Sequence, residues 1–139
     1  MIKLNKSTRF AIYAIMELGE NPEEILTVKH IAEKYTISEH HVAKVMQQLV
    51  RVAMVRSIRG IGGGFQINKD PKEITLMDIV EIFEPLHIQR GCLLAGSPEN
   101  CHQENACRIA EVFNEIQEQA YYTLKSLSIA TLVSPKKIS

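Results

Sequence analysis

Three cysteines, and no others in the chain, lie within one stretch of sixteen residues, at Cys92, Cys101 and Cys107. Gly96 and Pro98 lie within this stretch and Gly91 directly precedes it, and these residue types are typical of loops. Deprotonated thiols gathered on one loop are the ligands that iron-sulfur clusters and zinc prefer. An odd number of cysteines does not favour a framework of structural disulfides. The spacing therefore predicts a metal-binding or redox-sensitive site.

Several neighbouring side chains could supply a fourth ligand. His102 directly follows Cys101, so both could bind one metal only with strain, whereas His87 lies five residues before Cys92 and could fold back more easily. Glu104, water or a small thiol are further candidates. Two other chemistries remain open at this point. The cysteines could form a disulfide on oxidation without any metal, or they could hold a structural zinc ion in a dimeric protein-interaction module.

The formal charge is zero, but it is unevenly distributed along the chain. Residues 1–72 contain eleven Lys and Arg against seven Asp and Glu, while residues 73–139 contain five against nine. A local excess of positive charge favours binding of a polyanion, because binding depends on where charge clusters. The first half of the chain is therefore the better candidate for nucleic-acid binding.

Composition and length favour a compact cytoplasmic protein. With 139 residues, 45% of them apolar, the chain can form one domain, or a small domain with an oligomerisation element. No signal-peptide pattern opens the sequence, and no apolar run is long enough to cross a membrane. We therefore expect a cytoplasmic location, where thiols are normally reduced.

The first half of the chain has the pattern of a helix-turn-helix. Apolar residues recur at helical spacing from residue 7 to about residue 20, which predicts a packing helix. Thr27 can cap a short second helix that ends near Lys34, and Ser38 can cap a third helix that ends near Ala53. A short helix, a tight turn and a longer capped helix together indicate a helix-turn-helix.

A glycine-rich hairpin is predicted after the third helix. Residues 54–58 and 65–67 have strand character, and the connection 59–64 contains four glycines in five residues. A thin hairpin of this kind is typical of a wing that lies against another molecule. Thr75 then caps a further helix, which Pro85 ends.

Helical periodicity returns from about Glu104 and predicts a helix of about 20 residues. Its apolar face consists of Ile109, Val112, Phe113, Ile116, Ala120, Leu124 and Leu127. Only a short segment follows, so we expect this face to pair with its copy in a second subunit. The alternative is that the helix packs back along its own winged domain.

The exposed face of the third helix offers donors, acceptors and cations for base edges and phosphates. An arginine on the thin hairpin could enter a narrow minor groove. The candidate DNA-binding residues are Thr27, Ser38, His40, His41, Lys44, Gln48, Arg56, Arg59, Gly62 and Gly63. The glycines do not open a helix as a nucleotide-binding loop does, and no catalytic pattern is present, so we do not expect an enzyme.

The helix-turn-helix of residues 27–53, the wing from Val55 to Phe65, the segment Ile74–Val80 and the spaced cysteines resemble one bacterial regulator family. This is the IscR/NsrR/RirA-type (Rrf-two) family of winged-helix iron-sulfur transcription regulators. The resemblance covers nearly the whole chain, and its Arg-Gly-x-x-Gly-Gly wing is quite specific. It implies a mainly α fold with a small β-hairpin wing.

The resemblance implies a winged helix-turn-helix DNA-binding domain over residues 1–72, and a cysteine sensor loop with a long dimerisation helix over residues 73–139. It implies a homodimeric transcriptional repressor on a palindromic operator of double-stranded DNA. It also implies a 2Fe-2S or 4Fe-4S cluster, held by Cys92, Cys101 and Cys107, that senses iron, redox or nitric oxide status. Two fourth ligands of related branches do not carry over, because their positions are Ala110 and Arg9 here.

Overall fold

The computed structural model describes residues 3–84 and 104–133, which form six α-helices and one two-stranded antiparallel sheet. The helices are α1 (Lys6–Glu20), α2 (Val28–Tyr35), α3 (Glu39–Arg51), α4 (Leu76–Phe83), α5 (Glu104–Ser126) and α6 (Ile129–Leu132), and the strands are β1 (Val55–Ile58) and β2 (Gly64–Ile67). The mainly α fold with a β-hairpin wing is thereby confirmed. Predicted and observed ends of the elements differ by about one or two residues, as helix ends commonly do.

Three of the helices begin at the hydroxyl residues that the sequence indicates as caps. Thr27, Ser38 and Thr75 each accept a hydrogen bond on the side chain from a backbone N–H in the first turn. At Thr75 the cap is reciprocal, because the Asp78 carboxylate accepts the Thr75 backbone N–H. These bonds satisfy N–H groups that would otherwise have no partner within the helix.

The hydrophobic core lies where α1 meets α3, α4 and α6. Ala11, Ile15 and Leu18 of α1 are fully buried, and Met46 and Leu49 of α3 are equally inaccessible. The core also continues beyond residue 72, and the later members of the same cluster are Ile74, Ile79 and Ile129. The division of the chain into two functional parts at residue 72 stays a prediction.

Helix α6 was not predicted from the sequence. Ser128 caps it, and Ile129 is fully buried against the winged domain. The chain is fixed there by hydrogen bonds from the Leu76 N–H to the Leu127 carbonyl, at 2.9 Å, and from the Ile129 N–H to the Ile74 carbonyl, at 2.8 Å. The end of the described chain therefore returns to the core instead of following α5.

Helix α5 is only partly covered by the rest of the protomer. It contacts α4, and Ala110 is buried, but Ile109, Val112, Phe113 and Ile116 are each about half exposed. With 23 residues, the helix is about 34 Å long. Within residues 3–84 and 104–133, no helix is both long and apolar enough to cross a membrane.

Candidate nucleic-acid interface

The turn between α2 and α3 fixes the relation of the two helices. Thr36 adopts a left-handed conformation, with φ at 55°, and its N–H closes the end of α2 on the carbonyls of Ala32 and Glu33. The Ile37 N–H also donates to the Ala32 carbonyl, at 2.9 Å. Ser38 then starts α3 at once, so the turn is as short as a helix-turn-helix requires.

Helix α3 has one buried face and one polar face. Its apolar side chains Val42, Val45, Met46 and Leu49 are buried in the core. The exposed face consists of Glu39, His40, His41, Lys44, Gln47, Gln48 and Arg51. The His41 ring lies 5.9 Å from the Phe10 ring of α1, measured between centroids. The helix therefore presents a polar face, held at its beginning by an aromatic contact with α1.

The hairpin has the geometry of a wing. Strands β1 and β2 pair in register from Val55 opposite Ile67 to Ile58 opposite Gly64. Phe65 forms two further backbone hydrogen bonds with Leu26, both at 2.8 Å, which anchor the beginning of β2, close to the tip, to the segment before α2. The wing is thereby fixed to the helix-turn-helix.

The glycines at the tip have separate roles. Gly60 and Gly62 have φ values of 99° and 77°, which side-chain-bearing residues rarely adopt. Gly63 is needed for space, because a Cβ there would lie 2.3 Å from the Ile58 carbonyl oxygen. Its N–H donates to the Gly60 carbonyl at 3.0 Å. Of the two predicted glycines, Gly63 therefore closes the turn and Gly62 supplies the positive φ.

All ten predicted DNA-binding residues lie in the described part of the chain, and only Gly63 among them is not exposed. Arg56 is held by its cross-strand neighbour Gln66, whose side-chain oxygen accepts from Arg56 Nε at 2.9 Å and from Arg56 Nη2. Gln66 in turn donates to the Pro22 carbonyl at 3.2 Å. Arg56 therefore has a braced orientation, whereas the Arg59 side chain on the wing forms no hydrogen bond with another side chain of residues 3–84 and 104–133. The bracing by Gln66 was not predicted.

The buried carboxylate of Glu17, which contacts α2, was also not predicted from the sequence. Glu17 of α1 is only 3% exposed, and its side chain accepts hydrogen bonds from Lys34 Nζ at 2.5 Å and from the Tyr35 hydroxyl at 3.0 Å. His30 Nε2 lies 3.3 Å from the other carboxylate oxygen. Part of the signal lay in the sequence, since Glu17 follows the buried Ala14 by three residues on the same helix face. Its partners lie on another helix, so only the packing of α1 against α2 brings them together.

The electrostatics of this cluster stabilise the ionised carboxylate. Burial raises the pKa of Glu17, but the hydrogen bonds from Lys34, His30 and Tyr35 outweigh burial and hold the pKa below its ordinary value. Burial and the hydrogen bond to Glu17 raise the pKa of Tyr35 to about 12. The cluster thus joins α1 to both ends of α2 and keeps the helix-turn-helix in place.

The predicted metal ligands are mostly outside the described residues. Cys92 and Cys101 lie there, as do His87 and His102, while Cys107 is exposed with a free thiol on α5. Among residues 3–84 and 104–133, no group of three His, Cys, Asp or Glu side chains could hold a metal ion. The described chain therefore provides one of the three predicted thiols, and Ala110 is buried with no donor atom.

The sequence of this chain is similar to those of known transcriptional regulators. The sequence pattern of the Rrf2 family, described as iron-dependent transcriptional regulators, matches residues 4–135. BadM of Rhodopseudomonas palustris, named as an HTH-type transcriptional regulator, is 39% identical over 95% of this chain and 81% of its own length. A similarly named regulator of Aquifex aeolicus is 31% identical over 92% of this chain and 89% of its own length.

Solved structures share the fold. CymR of B. subtilis, described as the global cysteine regulator, superimposes with a TM-score of 0.80 at 26% identity, over 96% of this chain and 98% of its own. IscR of T. potens gives a TM-score of 0.75 at 21% identity, over 95% of this chain and 86% of its own.

A capped helix-turn-helix followed by a glycine-tipped hairpin defines a winged helix-turn-helix protein, a DNA-binding class. Within that class, the chain belongs to the Rrf2 family of transcriptional regulators. It is not an enzyme, as predicted. The resemblance identified from the wing and the cysteine spacing is thereby confirmed.

Proposed function

We propose that this Rrf2-family regulator is a homodimeric repressor of transcription whose affinity for a palindromic operator is controlled by an iron-sulfur cluster at Cys92, Cys101 and Cys107. The observation that carries the DNA-binding part is the exposed polar face of α3, together with Arg59 on a glycine-tipped wing. A helix of this kind fits the major groove of duplex DNA, and a thin arginine-bearing hairpin fits the minor groove.

Base and phosphate contacts are assigned to different parts of the surface. His40, His41, Lys44 and Gln48 lie on α3 as the candidates for base edges and nearby phosphates. The hydroxyls of Thr27 and Ser38 already accept a backbone N–H, and each retains a hydrogen that it can donate to a phosphate oxygen at the beginning of its helix. Arg56 and Arg59 add two cations along the first strand of the wing and its tip.

The proposed dimer rests on the uncovered face of α5. Ile109, Val112, Phe113 and Ile116 follow the spacing i, i+3, i+4 and i+7, which forms one continuous stripe. Each side chain is about half exposed, so a second copy of the helix could bury the remainder. Dimerisation would also supply two DNA-binding domains, one for each half-site of a palindromic operator.

The sensing part rests on the concentration of soft ligands and on the family's description as iron-dependent. Three thiolates could bind a cluster and leave one coordination position for a weaker ligand, which would make the centre labile. His87, His102 and Glu104 remain candidates for that ligand. When bound, the cluster would supply a centre whose loss or oxidation changes the local charge and geometry.

Hydrogen bonds join the end of α4, which precedes the cysteines in the sequence, to the beginning of α1. Glu84 follows α4 directly, and its carboxylate accepts the Asn5 N–H at 2.7 Å and the Thr8 hydroxyl at 2.5 Å. Asn5 also donates from its side chain to the Phe83 carbonyl at 2.9 Å. Helix α1 contacts α3 through Phe10 and His41. A shift at Glu84 could therefore be passed through α1 to α3, the helix proposed to bind DNA.

The proposal is tested on protein purified without oxygen. Its absorption spectrum and its contents of iron, sulfide and zinc are measured first, and binding sequences are then selected from a random duplex library. We expect a brown protein with comparable amounts of iron and sulfide, and selected sequences with a two-fold repeat. Affinity should fall steeply with salt, since phosphate contacts release counterions. No sequence selection, or salt-independent binding, would contradict a DNA-binding role.

The ligand assignment is tested by Cys101→Ala. We expect loss of the cluster with the dimer still folded, because side chains of residues 3–84 and 104–133 already form a hydrophobic core that extends from α1 to Ile129. The change Asn100→Ala, one residue earlier, truncates a side chain without removing a thiol, so it is the control and should retain iron. A monomeric, unfolded Cys101→Ala protein would mean that the cysteine segment is structural.

A thiol switch without metal is the second candidate, favoured by the exposed free thiol of Cys107. In that case Cys101 would form a disulfide with Cys107 or Cys92 on oxidation, with the loss of two electrons and two protons to an oxidant such as a peroxide. Colourless, metal-free protein whose DNA affinity changes reversibly with peroxide and dithiol would favour this candidate over the cluster. Colourless protein containing zinc would instead favour a structural zinc site.

A further inference from the structure

The tip of the wing carries an isoleucine with no protein neighbour to cover it. Ile61 has an exposed fraction of 110%, whereas no other exposed large apolar side chain in the described residues exceeds the 65% of Tyr122. Ile109, Val112, Phe113 and Ile116 on α5 are about half covered by the protomer. Single exposed apolar residues are common on proteins, so the position of Ile61 matters more than its exposure.

The backbone of the wing tip directs the Ile61 side chain away from the rest of the protein. Ile61 stands between Gly60 and Gly62, both with positive φ, and a Cβ added at either glycine would meet no atom within 4 Å. The turn itself is closed by Gly63, whose close approach to the Ile58 carbonyl leaves no space for a side chain. The isoleucine is therefore held at the apex of a narrow, closed turn instead of folding back on the core.

The surroundings of Ile61 indicate what could cover it. Arg59 lies two residues earlier on the same hairpin and is also exposed, so the partner must accept a cation beside an apolar group. The minor groove of duplex DNA offers this combination, since its walls are apolar sugar edges and its phosphates attract arginine. At A·T pairs its floor has no projecting amino group, whereas G·C pairs add the guanine N2 amino donor. Isoleucine could neither accept a hydrogen bond from that group nor make room for it.

We infer that Ile61 is an apolar wedge that enters the minor groove beside Arg59 and makes the wing prefer A·T pairs. This inference rests on the proposed DNA-binding function and adds a specificity-determining residue to it. Proteins that bind the minor groove frequently insert apolar side chains, isoleucine among them, as wedges between base steps.

The test compares Ile61→Val with Ile61→Thr in the full-length protein. Valine and threonine have the same shape, and they differ only in a methyl group replaced by a hydroxyl. The binding sequence is selected from a random library, and the wing site is located by protection of adenine N3 from dimethyl sulfate. Affinities are then measured on three duplexes whose wing site contains A·T, G·C or inosine·C pairs, because inosine lacks the guanine amino group.

For the wild type and for Ile61→Val we expect similar affinities, with G·C weaker than A·T by about tenfold per wing, or about 1.4 kcal/mol. Inosine·C should restore most of that loss. Ile61→Thr should lose about tenfold on the A·T duplex and should discriminate less between A·T and G·C. Its thermal unfolding should match that of the wild type, since the side chain of Ile61 is fully exposed.

Equal binding by the valine and threonine variants on every duplex would overturn the inference. So would an inosine·C duplex as weak as the G·C duplex, because the minor-groove amino group would then be irrelevant. Specific binding by the wild type in either case would leave the proposed function intact. Failure of the wild type to select any sequence would instead contradict the proposed function itself.

Discussion

The winged helix-turn-helix and helix α5 differ in how much of their apolar surface the protomer covers. Leu49 of α3 is completely buried, whereas Phe113 and Ile116 of α5 are 50% and 51% exposed. Helix α3 packs against α1, α2 and the first wing strand, while among the described elements α5 packs mainly against α4. Similar periodicity therefore has two outcomes, a buried core face in α3 and a half-exposed apolar face in α5.

The largest effect should come from a charge placed on the α5 stripe. We expect Ile116→Glu to weaken dimerisation by at least about 4 kcal/mol, roughly a thousandfold, because each subunit would bring an unpaired carboxylate into an apolar contact. Sedimentation velocity over a range of concentrations measures the shift to monomer. Gln117→Glu is the control, since it adds the same charge at the neighbouring exposed position. A dimeric Ile116→Glu protein would contradict pairing through this stripe.

A cavity in the winged core should have the next largest effect, and it should act on folding. Truncating Leu49 to Ala is expected to lower the free energy of unfolding by about 2–5 kcal/mol, as for other fully buried leucines. Denaturant unfolding at fixed protein concentration measures it. Val112→Ala on the exposed stripe is the contrasting variant, and it should reduce dimerisation more than protomer stability. Equal losses of stability at both positions would remove the distinction between the two regions.

Arg59→Ala should leave both core and dimer unchanged and weaken DNA binding. We expect a loss of about 1–3 kcal/mol on the selected operator at fixed salt, as for a good groove contact. Fluorescence anisotropy with a labelled duplex measures the affinity. Lys69→Ala, which removes an exposed cation after the wing, should change affinity much less. If Arg59→Ala binds as tightly as the wild type, Arg59 does not belong to the interface.

The smallest effect is expected at the Glu17 cluster, and it should depend on pH. Glu17→Gln should destabilise the protein by about 1.5 kcal/mol near pH 7, because hydrogen bonds to a charged acceptor weaken. The pKa of Glu17 is lowered on folding, so its contribution is fully present above the ordinary value of 4.5. It is lost as pH falls below that value through the folded-state pKa.

The measurement is denaturant unfolding of both proteins between pH 3 and pH 8. The difference in unfolding free energy should be constant above about pH 5 and shrink toward lower pH. Glu20→Gln on the same helix is the control, because Glu20 is exposed. A difference that does not vary with pH would mean that the carboxylate charge contributes nothing to the cluster.

Much of the fold was predictable because its signals are local. Thr27, Ser38 and Thr75 cap their helices through side-chain bonds to N–H groups three residues away, so the sequence marks each start directly. The tip glycines likewise mark the wing, since only glycine adopts their backbone geometry readily. The candidate DNA-binding residues on α3 follow from the same periodicity that identifies its buried face.

The missed features depend on residues distant in the chain, or on a helix too short to show a periodic pattern. Gln66 was predicted only as a strand residue. It braces Arg56 because β1 and β2 pair in register and because the Pro22 carbonyl accepts a hydrogen bond from Gln66. Helix α6 has a cap at Ser128, but four residues give too little periodicity to predict a helix. Its place in the core follows from the contact between Ile129 and Gly19.

The sequence by itself determined the helix starts, the wing, the polar face of α3 and the concentration of thiols, because each arises from residue type and short-range spacing. Only the tertiary structure decided that Glu17 is a buried brace, that Glu84 joins α4 to α1, and that Ile61 stands uncovered at the wing tip. These depend on which surfaces meet across the fold. Burial and long-range hydrogen bonding, which local propensity does not encode, are fixed only when the elements pack.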